Sequence, residues 1–341
     1  MSYGGQAVIE GVVIRGRRTL ALAVRRPSGS IYRYREPLNS PLQRSPFARL
    51  PLVRGVLVLW ESLSQGIRML MRSANVALEE ESVKLEGRSA VGFVTVTLVV
   101  ALAIFVGVPY LATQAIRGAV PDPLWQNLLE GLLRLALFLG YIVAISFLPD
   151  IQRVFAYHGA EHMTIHAYEH GDPLETRSIQ RYPTAHPRCG TAFLLVVVVV
   201  SLVAFVFLER ANPVTALLER LLLVLPVAAV SYELLRFGAR YERVPPVRLL
   251  VLPGLLLQRL TTRPPTDEMI EVAVASLEEA LAGDADTGAQ SRRGDATAAL
   301  REGERSEPEG AGGAPVPLRR DGASGGGRGV REGGATEVGD A

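Results

Sequence analysis

The fold class is decided by the run VGFVTVTLVVALAIFVGVPYLA, residues 91–112. The run carries no charge and is long enough to cross the hydrocarbon core of a bilayer, which is about 30 Å thick. Similar apolar runs occupy Leu132–Leu148, Thr191–Leu208 and roughly Leu221–Leu235. We therefore expect a mainly α-helical, polytopic membrane protein with about four transmembrane helices, and the lipid bilayer as its surroundings.

Composition agrees with this class. Hydrophobic residues make up 48% of the 341 residues, and the mean hydropathy is positive. The single cysteine excludes an internal disulfide framework. The first thirty residues lack the apolar core of a signal peptide, so we expect insertion to depend on the internal spans.

Charge is nearly balanced, with a formal net charge of +2, and Lys84 is the sole lysine. We attribute the arginine bias to genome composition and expect no nucleic-acid partner. The segments before the first span, between the second and third spans, and after the fourth are rich in arginine. The positive-inside rule then places both termini and the loop between spans two and three in the cytoplasm.

The soluble segments suggest three regions. Residues 1–89 would form a cytoplasmic region with a small β-hairpin, from Leu20–Val24 and Ile31–Tyr34, and an amphipathic helix. That helix has apolar residues at helical spacing over 56–71 and is followed by an acidic end at residues 79–81. Residues 90–281 would form the membrane domain, and the glycine-rich segment 282–341 would be a disordered tail.

Two segments near the end of the membrane domain need separate predictions. Val247–Leu260 is apolar but short, and Pro253-Gly254 interrupts it, so a re-entrant or interfacial segment is favoured over a fifth span. Thr266 or Asp267 can cap a final helix that we expect to end at Leu281.

The chemistry of the chain is concentrated between Tyr157 and Cys189, which enclose all five histidines: His158, His162, His166, His170 and His186. Residues 158–162 read H-x-x-E-H, the inverted zincin pattern. In that pattern two histidines one helical turn apart share a metal while the adjacent glutamate handles protons. We therefore expect a histidine-rich cytoplasmic helix with a divalent metal, zinc by its ligand types, as cofactor.

Helix geometry selects among these ligands. His158 and His166 lie about 12 Å apart along a helix axis, so His158 and His162 are the better pair. His186 and Cys189 are both possible as the third ligand. Glu161 lies about 100° around the helix from His162, which suits a catalytic proton acceptor better than a ligand.

Four further side chains were considered. His166 and Glu169 share the histidine stripe, so they would orient the ligands or form a second site. Glu10 lies among apolar neighbours and is interpreted as a polar residue of a strand ladder or of a turn rather than as a catalyst. Glu233 lies near the end of the fourth run, where it is either functional or an interfacial charge.

Several ordered motifs resemble the YqhQ-like bacterial family. They are GGQAVIEGV (residues 4–12), YHGAEH (157–162) with TIHAYE (164–169), HPRCGT (186–191) and the Thr261-Thr262 pair. The resemblance covers about residues 3–281. It implies a bacterial cytoplasmic-membrane protein with a metal site drawn from His158, Glu161, His162, His166, Glu169, His186 and Cys189, and it implies no substrate.

The function expected from residues and resemblance together is that of a metal-dependent membrane enzyme, hydrolytic in type. Glu161 would take a proton from water beside the metal. The alternative is a non-enzymatic membrane protein that binds metal or a partner for structural or regulatory purposes. A coordination position left open for water favours the enzyme, and a closed site with four protein ligands favours the alternative.

Overall fold

The computed structural model describes residues 3–38, 50–78, 87–187, 189–208, 212–241 and 244–305. The chain divides into two compact units, Met1–Ser291 and Arg292–Ala341. Among the described residues, the second unit contributes only the end of the last helix. Apart from that helix end, everything described below belongs to the first unit.

The N-terminal region is a four-stranded antiparallel sheet in the order β1-β2-β3-β4. The strands are β1 (Gly4–Val8), β2 (Gly11–Arg15), β3 (Thr19–Arg25) and β4 (Ile31–Pro37). The predicted hairpin is confirmed as β3 and β4, with Leu22 opposite Tyr34. The first two strands were missed because glycine, which is depleted in strands, begins both of them.

Both faces of the central strands β2 and β3 are buried, in keeping with their continuous apolar runs, because successive side chains of a strand point to opposite faces. Val12, Ile14, Ala21 and Ala23 face one apolar core, while their neighbours in sequence, such as Val13 and Leu22, face another. The sheet is therefore the middle layer of the N-terminal region, with helices on either side.

The helical part follows the sheet. Its helices are α1 (Val53–Ala77), α2 (Gly87–Leu102), α3 (Val108–Ala115), α4 (Pro123–Ile145), α5 (Pro149–His170), α6 (Thr176–Ile179), α7 (Thr191–Val206), α8 (Pro213–Arg240), α9 (Pro245–Thr261) and α10 (Asp267–Arg305). A π-helical segment, Ala103–Gly107, joins α2 to α3.

Among the described residues, three helical segments are long and apolar enough to cross a membrane: Gly92–Ala115, Pro123–Ile145 and Pro213–Arg240. The expected third span falls short because α7 ends at Val206. Its 16 residues extend for only about 24 Å. The chain is thus mainly helical with three candidate membrane-spanning helices, one fewer than expected.

The second span also begins earlier than expected. The Asp122 side chain accepts a hydrogen bond from the backbone N–H of Leu124, and Pro123 occupies the first turn of α4. Both features favour a helix start at this position. The apolar run alone suggested a start at Leu132, because Glu130 lowers the local hydropathy.

Glu130 belongs to a buried polar cluster between α4 and α8. Its carboxylate accepts hydrogen bonds from Arg134 at 2.7 Å and from Arg220 Nε at 2.9 Å. Arg220 also donates to Asn127 Oδ1 at 2.8 Å. Asn127 donates in turn to the carbonyl oxygen of Val206 at the end of α7. The cluster joins one end of α4, α7 and α8.

The amphipathic helix predicted over 56–71 is confirmed within α1. It packs on the sheet and on α8, where a Cβ atom added at Gly55 would lie 3.3 Å from the Cα atom of Ala229. The acidic segment at residues 79–81 lies outside the described residues. The α1 helix therefore bridges the sheet and the membrane helices.

The last two helices differ from expectation. The interruption predicted at Pro253 is absent, since Pro253 lies inside the continuous helix α9. The α10 helix continues past Leu281 to Arg305, and Asp284 accepts backbone hydrogen bonds from Arg17 and Arg18. The predicted boundary at residue 282 therefore lies inside a helix, and residues 306–341 lie outside the described ones.

Candidate metal centre

The histidine-rich helix forms as one element, α5. Pro149 occupies its first turn, and Gly171 ends it in the left-handed conformation with φ of 76°, as glycine commonly does at a helix C-terminus. All residues from Ala156 to Ile165 are buried. Buried imidazoles need hydrogen-bond partners, and the identities of those partners determine which ring nitrogens remain available.

His158 and His162 both bond to backbone carbonyls through Nδ1. The partner of His158 is the Thr261 oxygen at 2.8 Å, and that of His162 is the Thr184 oxygen at 2.6 Å. A carbonyl only accepts, so each Nδ1 carries the proton and each neutral ring presents its lone pair at Nε2. This is how second partners orient metal-binding histidines.

Cys189 completes a group with these two rings. Its Sγ lies 3.1 Å from His158 Nε2, and one ligand atom from each of His158, His162 and Cys189 lies within 4.8 Å of the others. His158, His162 and Cys189 are all buried. Of the two possible third ligands, the structure thus brings Cys189 to the pair.

The loop that carries Cys189 is fixed by Gln258 of α9. The Gln258 side chain accepts the backbone N–H of His186 at 2.8 Å and donates to the His186 carbonyl at 3.0 Å. The side-chain amide of Gln258 therefore satisfies both the backbone N–H and the backbone carbonyl of one loop residue, as a neighbouring strand would. It fixes the register that places Cys189, rather than His186, beside His158.

The donor set fits a borderline divalent ion. Zinc binds histidine nitrogen at about 2.0–2.1 Å and thiolate at about 2.3 Å, so ligand atoms around one tetrahedral ion lie roughly 3.5 Å apart. The 3.1 Å separation between His158 Nε2 and Cys189 Sγ is close to that value. Two imidazoles with free Nε2 lone pairs and one thiol are therefore a suitable set for zinc.

Glu161 is buried beside this group. Its Oε2 atom lies 3.5 Å from His162 Nε2, and the backbone N–H of Gly5 in β1 hydrogen-bonds to its carboxylate. Burial raises the pKa of Glu161 to about 7, although His158 and the Gly5 N–H oppose that shift. A carboxyl group with this pKa can both take up and release a proton near neutral pH.

Gly5 is needed for that contact. A Cβ atom at Gly5 would lie 2.1 Å from the Val13 carbonyl oxygen and 3.2 Å from Glu161 Cγ. The 2.1 Å distance leaves no room for a side chain and the 3.2 Å distance is a tight contact, so glycine allows β1 to lie closely against both β2 and α5 at this point.

His166, His186 and Glu169 form a neighbouring cluster. The rings of His166 and His186 have centroids 4.5 Å apart, and His186 Nε2 lies 3.5 Å from Glu169 Oε2. His166 Nε2 bonds to the Ala185 carbonyl at 3.0 Å, and burial lowers the pKa of His166. His170 is exposed at the helix end; it is not part of the His158, His162 and Cys189 group, and its ring centroid lies 6.3 Å from that of His166.

The two remaining predicted residues lie elsewhere. Glu10, at φ of 50° in the β1–β2 turn, accepts two hydrogen bonds of 2.6 Å from Arg153 on α5. Glu233 on α8 is bound by Arg54 of α1, whose Nε donates to it at 2.7 Å. Each carboxylate joins two elements away from the histidines.

Sequence reasoning missed the groups that hold the ligands in place. The Thr184 and Thr261 carbonyls are backbone groups. Every residue has such a group, so residue types alone do not indicate which carbonyls bond to the histidines. Gln258 lies in an apolar helix, where its polarity was the only available signal. For Gly5, the available signal is the Gly4-Gly5 doublet, since glycine permits a close backbone approach, but the doublet does not identify the partner.

Comparison with known proteins gives a family and no activity. Residues 50–283 match the family described as "Protein of unknown function (DUF1385)". The chain is also 32% identical over 293 residues to "Uncharacterized protein YqhQ" of Bacillus subtilis (strain 168), covering 82% of this chain and 92% of that protein. No solved structure matches. The chain therefore belongs to this YqhQ-like family of proteins of unknown function.

Proposed function

We propose that this protein is a metal-dependent membrane enzyme, hydrolytic in type, with zinc or a similar divalent ion held by His158, His162 and Cys189. The observation that carries the proposal is that one ligand atom from each of these three buried residues lies within 4.8 Å of the others, while each histidine Nδ1 bonds to a backbone carbonyl. Three protein ligands leave a tetrahedral ion one open position, which is the arrangement of catalytic rather than structural zinc sites.

The residues around the candidate centre have separate roles in this proposal. The Thr261 and Thr184 carbonyls hold the two imidazoles in the ligand tautomer. Glu161 holds or releases a proton at Oε2, on the His162 side of the group. When bound, a divalent ion supplies an electrophile and lowers the pKa of a coordinated water. His166, His186 and Glu169 would assist by orienting this face of α5 or by forming a second site.

We further propose that α7 crosses the membrane as a fourth, short span, because it packs between α4 and α8. The candidate centre then lies in the cytoplasm of a bacterium, together with both termini, in accordance with the arginine-rich segments. Thiol labelling from each side can test this in a Cys189→Ser background. Glu175→Cys should react only from the cytoplasm and Pro121→Cys only from outside; the reverse pattern would invert the topology.

Metal analysis of the purified full chain tests the centre itself. We expect about one divalent ion per chain in the wild type and almost none in His162→Ala, because a three-ligand set loses much of its affinity with one imidazole. His170→Ala is the matched control, since this histidine of the same helix is exposed, and it should keep the metal. Full metal content in His162→Ala would refute the proposed site.

Glu161→Gln separates the enzyme from the non-enzymatic alternative. The amide keeps the size of the side chain but cannot accept the proton. We expect this variant to keep its metal and lose hydrolytic activity. Metal loss equal to that of His162→Ala would make Glu161 a fourth protein ligand, and a closed site would favour a structural or regulatory role.

A further inference from the structure

The candidate centre opens onto a large cavity. This cavity of about 1500 Å³ lies between β1, α1, α5, the start of α7 and the last turns of α8, and both His158 and Cys189 line it. Its volume exceeds the roughly 300–1,000 Å³ of an ordinary small-molecule pocket. Any substrate that reaches the centre by this route passes through a space suited to a long ligand.

Much of the cavity wall is apolar and belongs to helices of the membrane domain or to α1. Val58 and Leu63 come from α1, Phe193 and Leu194 from the start of α7, and Tyr232 from α8. Leu63 and Leu194 remain 56% and 49% exposed. Contact between exposed apolar surface of this kind and a hydrocarbon chain is more favourable than contact between that surface and water.

The polar part of the wall is positively charged. It carries Arg15, Arg54 and Arg236. The first two are compensated, because Arg15 pairs with Glu61 at 3.0 Å and Arg54 pairs with Glu233. Arg236 interacts electrostatically with Glu233, but it has no hydrogen-bond partner among the residues that the structure describes. The wall therefore has one positive charge in excess.

We propose that the substrate of the candidate centre is an amphiphile with an anionic headgroup and a long apolar chain. The chain would occupy the apolar wall, the headgroup would pair with Arg236, and the bond to be hydrolysed would face His158 and Cys189. This proposal rests on the proposed function for its chemistry, but the binding that it requires can be measured without any activity.

Native mass spectrometry of the full chain in a neutral detergent provides that measurement. The probes are dioleoyl phosphatidylglycerol and dioleoyl phosphatidylcholine, which differ in headgroup charge. We expect the anionic lipid to bind roughly tenfold more tightly, the size of effect expected for a charge-assisted hydrogen bond. Arg236→Gln should abolish most of this preference. Arg240→Gln, one turn later on the same helix and outside the cavity wall, should preserve it.

A second variant tests the cavity rather than the charge. Ser62 lines the cavity and is exposed, so Ser62→Trp should fill space without disturbing the core. We expect it to weaken the binding of both lipids at least about fivefold, as steric filling of a pocket predicts, while the metal content stays unchanged.

The outcomes distinguish the two proposals. Equal affinity for the two lipids, or an equal effect of Arg236→Gln and Arg240→Gln, would overturn the substrate class even if the metal is present. Displacement of the lipid by millimolar inorganic phosphate would identify a soluble anion as the ligand and would also overturn it. A charge preference retained in metal-free His162→Ala would support the amphiphile site even if the metal proposal fails.

Discussion

Replacing Glu130 by leucine should strongly destabilise the membrane helices. Glu130 is fully buried, and it is the carboxylate shared by two buried arginines, Arg134 and Arg220. Its removal leaves both guanidinium groups in the protein interior without a counter-charge from the part of the chain that the structure describes. Breaking a buried ion pair from one side typically costs about 3–5 kcal/mol, because the remaining charge is uncompensated.

The structure favours the lower end of that range. Both arginines keep other acceptors: Arg220 donates to Asn127 and to the Ala216 carbonyl, each at 2.8 Å, and Arg134 donates to the Phe105 carbonyl at 2.8 Å. A loss of about 3 kcal/mol corresponds to roughly 6–12 °C in Tm for a chain of a few hundred residues.

The single cysteine gives a convenient assay. Cys189 is buried and lies near the start of α7, whereas the charged cluster lies near its other end. A thiol-reactive dye therefore reports unfolding that has spread across the helices rather than local loosening around Glu130. Glu219→Leu is the matched control, because this neighbouring carboxylate on α8 is exposed.

Replacing the two arginines as well as Glu130 tests whether uncompensated charge causes the loss of stability. If uncompensated charge is responsible, a triple variant with Glu130→Leu, Arg134→Leu and Arg220→Met should recover much of the lost stability, as apolar replacement of buried ion clusters often does. A Glu130→Leu protein that unfolds at the wild-type temperature would refute the reasoning. A triple variant less stable than the single one would show that packing, not charge, dominates.

Two further predictions concern the N-terminal sheet. Gly5→Ala should lower Tm, because overpacking against the Val13 carbonyl of β2 costs about 1–3 kcal/mol. Gly4→Ala, with open space around it, should leave Tm unchanged. Equal effects of the two substitutions would show that β1 is not tightly packed against β2 at Gly5. The Arg153 guanidinium holds the pKa of Glu10 below its usual range, so this pair stabilises the fold at neutral pH and loses its effect as pH falls below about 4.3. Glu10→Gln should therefore reduce Tm modestly at pH 7, by the equivalent of at most about 1 kcal/mol for an exposed pair. The difference from wild type should shrink as the pH falls further into the acid range.

Local patterns predicted the helices well and their ends less well. Apolar runs located α4 and α8 because hydropathy is a property of neighbouring residues. The start of α4 was misplaced because Glu130 and Arg134 looked like interruptions. The Glu130 carboxylate is paired with Arg220, 90 residues away in sequence. Hydropathy averaged over neighbouring residues contains no information about so distant a partner.

The pairing of His158 with His162 was likewise predictable, since residues four apart share one face of a helix. The choice between His186 and Cys189 was not. These residues are three apart in a loop without a repeating pattern, so spacing gave no preference. Gln258, from a different helix, fixes the loop through two hydrogen bonds to the His186 backbone and thereby selects the cysteine.

The surroundings of Glu161 in the folded chain differ from those expected for its position on an isolated helix. Its angle places it about 100° from His162, on the face of α5 that meets the sheet. On an isolated helix that carboxylate would turn towards water with an ordinary pKa. Here β1 covers it, and the Gly5 N–H hydrogen-bonds to its carboxylate while Oε2 lies near His162. The burial that raises the pKa of Glu161 therefore includes a contact with a strand more than 150 residues earlier, and the sheet is part of the candidate centre.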